Sequence, residues 1–94
     1  MEVGDFYAVN SMGFASQLNH HFLIYLGNEL FFDTINACVY EIPLNEAEGA
    51  AKTKNTIGDI ILEFVAKLPK EVMEVVEVNA KEKTPIKLHI FTNV

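Results

Sequence analysis

Apolar and polar positions along the chain change period twice. The first half reads as strands. Asp5-Phe6-Tyr7-Ala8-Val9 is a first strand, Asn10 to Gly13 is turn-like, and Phe14 to Asn19 is a loop. His21-Phe22-Leu23-Ile24-Tyr25-Leu26 is rich in aromatic and branched residues and forms a second strand. Gly27-Asn28 supplies a tight turn, since both residues tolerate positive φ. Glu29 to Thr34 returns as its partner, and Cys38 to Ile42 is a fourth strand that Pro43 ends by removing a donor.

The second half switches to a spacing of three and four. Ile57, Ile60, Ile61, Phe64, Val65 and Leu68 form one apolar stripe, which predicts a principal helix buried against a sheet containing Phe22, Ile24, Leu30 or Phe31, and Leu88 or Ile90. Thr56 with Asp59 resembles a capping box, and Pro69 marks the stop. Residues 46–55 predict a weaker helical piece interrupted by Gly49. Glu71 to Val78 fits a short helix or a strand, Asn79 to Pro85 is a polar connection, and Ile86 to Thr92 alternates as a half-buried strand. The expected fold is α+β: one domain over residues 1–94, with a single mainly antiparallel sheet of about five strands and one principal helix packed on one face.

Composition narrows the function classes. Half of the 94 residues are hydrophobic, so one core is available and intrinsic disorder is excluded. The net charge of −6, with seven Lys and no Arg, argues against direct binding to nucleic acid or to an anionic membrane. It also removes the bidentate clamp that enzymes acting on phosphates or carboxylates commonly use. The acidic start, without an apolar region after it, predicts no signal peptide, and the single cysteine points to the cytoplasm.

Candidate chemistry is sparse. Cys38 lies between Ala37 and Val39 with no local electropositive setting, and reads as a buried, inert thiol. His20 and His21 are adjacent on a strand and point to opposite faces, and with His89 they lack any recognisable metal spacing. No bound metal or cofactor is expected. Glu71, Glu74 and Glu77 recur every third residue among Val72, Val75, Val76 and Val78. On a helix this gives an acidic ridge beside an apolar one, suited to a basic groove carrying a hydrophobic probe, or simply to a solvated face.

Two stretches resemble known families. Ile61, Glu63, Leu68, Pro69, Glu71, Val72, Glu74 and Val75, with Ile86-x-Leu88-His89 further on, resemble the phage uracil-DNA glycosylase inhibitor, a small acidic DNA mimic. The resemblance implies an extended segment over 60–66, where the periodicity implies a helix. It makes Glu63 an edge-strand acid, Glu71 and Glu74 phosphate mimics, and Val72, Val75 and Val76 an apolar pocket for a side chain of the enzyme. The partner would be a protein with a basic groove. Gly4-Asp5 followed by His21-Phe22-Leu23-Ile24-Tyr25-Leu26-Gly27-Asn28 resembles the opening of permuted papain-fold domains of the lecithin:retinol acyltransferase-like and NlpC-like group. There His21 would be the catalytic base. The second His of that pattern is Asp33 here, and no Cys follows Cys38, which implies a degenerate, inactive relative. Both resemblances point to a binding protein: in the first case an inhibitor of a nucleic-acid enzyme, in the second a papain-like domain without catalysis.

Overall fold

The computed structural model describes residues 1–11, 18–43, 47–51, 54–57 and 60–88. Its elements are β1 (Asp5–Ser11), β2 (Phe22–Gly27), β3 (Leu30–Asp33), β4 (Cys38–Glu41), β5 (Ala47–Ala51), β6 (Lys54–Ile57), β7 (Ile60–Lys67), α1 (Lys70–Lys81) and β8 (Ile86–Lys87). The strands form one sheet in the order β5-β6-β7-β1-β2-β3-β4-β8, antiparallel except where β8 runs parallel to β4. The α+β class, the mainly antiparallel sheet and the one helix among the described residues match the expectation, with more strands than expected.

The helix, however, is a different segment. Residues 60–67 are a strand, paired to β6 on one side and β1 on the other. Ile60 and Leu62 are fully buried, Ile61 and Glu63 alternate with them half-buried, and Phe64 and Val65 beyond are exposed. That is a period of two. The stripe read at helical spacing is so nearly continuous that it satisfies both periods, and length and β-branching favour the strand. β5 and β6 pair as antiparallel strands where a weak helix was expected, so Thr56 lies within a strand and not at a helix start; Asp59 lies outside the described residues. β1 runs through Ser11, past the expected turn at Asn10. Of the last expected strand, Ile86 and Lys87 pair with β4, while Ile90 and His89 lie outside the described residues.

Glu71 to Val78 resolves as helix. Pro69 stands before it with φ −69° and ψ 156°, and its carbonyl accepts the Val72 and Met73 N–H groups, each at 3.1 Å. Glu71 in the first turn and Lys81 in the last complement the helix dipole. Gly4 fixes the approach. Its N–H donates to the Tyr25 carbonyl (3.0 Å), and its own carbonyl accepts the Leu68 N–H (2.9 Å). Its φ of +96° favours glycine, and a Cβ there would touch Met73 and the Leu68 carbonyl. Between β2 and β3 the two loop residues are Asn28 and Glu29, both at positive φ, the conformation that matches strand twist in a two-residue hairpin.

The core lies on one face of the sheet. Tyr7, Val9, Leu23, Phe31, Tyr40, Ile42, Ile60 and Leu62 meet there with Leu18, and Cys38 and Leu88 pack at its margin. Phe22, expected inside, turns to the other face and stacks on Phe6 at a centroid distance of 5.5 Å. Phe64 meets Tyr7 edge-on at 5.9 Å but is 39 % exposed, because it sits at the open end of the core face. Phe64→Ala is therefore expected to cost roughly 1–2 kcal/mol in urea unfolding, below the range for a buried ring. A loss above about 3 kcal/mol would place the ring in the core.

Candidate functional sites

Two places concentrate chemistry. The first is built by cross-strand register. His21 precedes β2, and Asp33 closes β3 opposite Leu23. Side chains two apart on a strand share a face, so His21 and Asp33 are diagonal neighbours. The His21 Nδ1 lies 2.8 Å from Asp33 Oδ2. The other carboxylate oxygen of Asp33 accepts the Ile35 N–H (2.8 Å) and the Asn36 N–H (3.3 Å), shaping the turn into β4. Asp33 is wholly buried, while the His21 side chain keeps 18 % of its surface in solvent.

This bond fixes which imidazole nitrogen faces the carboxylate and leaves Nε2 directed elsewhere. Such an oriented imidazole is the arrangement that general-base chemistry needs. It is equally a strap that ties the start of β2 to the β3–β4 turn. Cys38 stands directly across from Asp33 on β4, half-buried rather than fully buried. Two residues on, burial pushes the Tyr40 hydroxyl up to about 12, and its hydrogen bond with Cys38 adds to the shift. Asn36 Nδ2 also donates to that hydroxyl at 3.5 Å. His21, Asp33, Asn36, Cys38 and Tyr40 thus form one polar seam at the end of the core.

His20 and His21 precede β2 rather than lying on it, so strand alternation does not govern them; His20 is exposed in a turn at φ +72°. His89 lies outside the described residues. Among the described residues no three potential ligands gather at a metal-binding distance. No helix among them is long and apolar enough to cross a membrane.

The second place is the outward side of α1. Only Met73 of this helix is fully buried. Val72 is 42 % exposed, Val75 62 % and Val78 68 %, three valines in an i, i+3, i+6 row. Glu71, Glu74 and Glu77 form the adjacent row, also exposed. None of the three carboxylates forms an ion pair with another described residue. Val76 turns half-buried toward the protein, so of the expected apolar lining Val72 and Val75 remain on the surface and Val78 extends them. Glu63 does not join this surface as an edge-strand acid. It pairs across β7 with Ala8 on one side and Lys54 on the other, in the interior of the sheet.

At the base of β1 a third polar group is plainly structural. Burial opposes the Asp5 carboxylate's charge, yet the Glu2 N–H, the Tyr7 hydroxyl and Lys67 outweigh it and hold Asp5 below its ordinary value. Lys67 reaches both Glu2 (3.1 Å) and Asp5 (3.4 Å), which pins the end of β7 to the start of β1.

The chain matches no family model, no curated protein and no solved structure.

Proposed function

We propose that this domain works by binding a protein partner through the outward side of α1, and that it catalyses nothing. The supporting observation is the pair of exposed rows on one helix, Val72, Val75 and Val78 beside Glu71, Glu74 and Glu77. A valine moved from water into an apolar contact contributes about 1.5–3 kcal/mol. Three of them in a row are an anchor left open to solvent. The glutamates beside them attract a cationic surface, which speeds encounter and selects the partner. The partner of this chemistry has a basic groove and an apolar side chain projecting into it. A groove that normally tracks phosphates has that character, so the domain is read as an antagonist of a nucleic-acid enzyme, in the manner of the uracil-DNA glycosylase inhibitor. The order of extended segment, Leu68-Pro69 and helix agrees with that resemblance; the interior place of Glu63 does not.

The direct test is inhibition of uracil excision from a labelled oligonucleotide. Inhibition is expected at micromolar protein or below, weakening as salt rises from about 50 to 200 mM, because screening acts on exposed charge. No inhibition at micromolar protein would exclude this target.

A second reading is favoured by one specific observation. The His21 base position and the Asp33 position of the permuted papain resemblance stand 2.8 Å apart, as an oriented dyad. Within these 94 residues no cysteine follows Cys38, so the dyad has no thiol of the expected kind to activate. On this reading the scaffold is papain-like and its seam binds rather than cleaves. The two readings are compatible, since one concerns the seam and the other the helix.

A further inference from the structure

We propose that the hollow between the C-terminal half of α1 and the outer face of β2, β3 and β4 is a binding site for a small amphipathic carboxylate, an alkyl or aryl acid of roughly ten carbons. The hollow is open to solvent along one side and measures about 280 Å³ over Leu26, Leu30 and Val39. These three lie on the sheet face opposite the core, by alternation from Tyr25, Phe31 and Tyr40. The helix covers them incompletely. Along its inward row Met73 is buried and Val76 half-buried, but the next residue in the row is Ala80, which offers a single methyl. A gap therefore opens toward the end of the helix.

Apolar walls that face water gain free energy when an apolar body covers them, so an open hollow over Leu26 and Leu30 favours a ligand with an apolar end. A dry hollow of about 150 Å³ holds one benzene, and this one is about twice that. Its size suits a short acyl chain or two fused rings. The mouth selects the other end of the ligand. Lys81 and Lys83 stand on the rim together with Glu77, two cations against one carboxylate. Helix-end carbonyls normally repel an anion, but the Ala80 carbonyl is already engaged by the Lys83 N–H at 3.0 Å. The rim thus favours a single negative charge over an apolar body. The site shares no residue with the His21–Asp33 seam and only Glu77 with the exposed rows of α1, so it stands independently of the function proposed above.

The test is titration of the full chain with decanoate, followed by methyl NMR. Saturable shifts are expected at Leu26, Leu30 and Val39, with a Kd at or below about 1 mM. Decanol, lacking the charge, should bind about three- to fivefold more weakly, the range for one exposed ion pair. Ala80→Leu fills the hollow and should abolish the shifts while leaving the protein folded. Lys81→Glu with Lys83→Glu should erase the preference for the acid over the alcohol. The proposal is overturned if decanoate causes no saturable shift at those methyls or if Ala80→Leu binds as wild type does. Decyltrimethylammonium binding as tightly as decanoate would also overturn it.

Discussion

Asp33→Ala is expected to lower the unfolding free energy by roughly 3–5 kcal/mol, the largest single-site loss in this fold outside the aromatic core. The magnitude follows from what the carboxylate holds. It is fully buried, and it receives His21 on one oxygen and two turn N–H groups on the other. Removing it strands three polar groups at once, the His21 ring and two turn N–H groups; each costs about 1–3 kcal/mol where fully shielded and less where water enters, and the expected loss lies within that sum. Asp33→Asn keeps an acceptor for the turn and should lose roughly half as much. His21→Ala should lose only about 1–2 kcal/mol, because His21 is partly exposed and water can replace it on Oδ2. Urea unfolding of the three variants checks the ranking. If Asp33→Ala lost under about 1 kcal/mol, the seam would not be a structural strap.

Charge reversal on the helix should do the opposite: little to stability and much to binding. Glu71→Lys with Glu74→Lys places two cations where a basic groove would dock. The expected loss of inhibition is at least about a hundredfold, or roughly 2.7 kcal/mol. Both residues are exposed, so the cost to folding should stay near 1 kcal/mol, chiefly from losing an acid in the first turn of α1. Val75→Asp tests the apolar row by itself. It should raise the dissociation rate while leaving the salt dependence of association unchanged, since anchors act on release and rim charges on encounter. A charge-reversed double mutant that inhibits as well as wild type would remove α1 from the recognition surface.

The parts of this fold legible in the sequence are those where residue type and turn signals agree. β2, β3 and β4 read as strands from their aromatic and β-branched residues, and Gly27-Asn28 announces the hairpin one residue ahead of its Asn28-Glu29 loop. Residues 60–68 do not discriminate, because Ile60, Ile61, Leu62, Phe64, Val65 and Leu68 satisfy a helical stripe and a buried strand alike. What decides is the neighbour: β1 has one partner in β2, and β7 completes it on the other side. β5 is harder still. Ala-Glu-Gly-Ala-Ala has low strand propensity, and only pairing with β6 makes it extended. Of the candidate sites, the glutamate and valine rows were readable from spacing alone once α1 was a helix. The partnership of His21 with Asp33 needed the register of β2 on β3. That of Cys38 and Asn36 with Tyr40 depends on β4 and the turn before it. The hollow under Ala80 arises from how closely the helix lies on the sheet, a distance no local pattern encodes.

The pairing of β1 with β7 also dictates the order in which the chain can be completed. β2, β3 and β4 form from contacts close in sequence, so they can assemble while the rest is still being synthesised. β1 has a partner on only one side until residues 60–67 arrive, 49 to 62 residues after their partners in β1. Over that interval the side of β1 that later receives β7 is an open sheet edge, the kind that pairs with a second nascent chain. Among the strand pairings of the described residues it spans the largest sequence separation, the kind of contact that slows folding. The Lys67 contacts with Glu2 and Asp5, and the Gly4 hydrogen bond to Leu68, sit at the end of that closure, where they act as its latch.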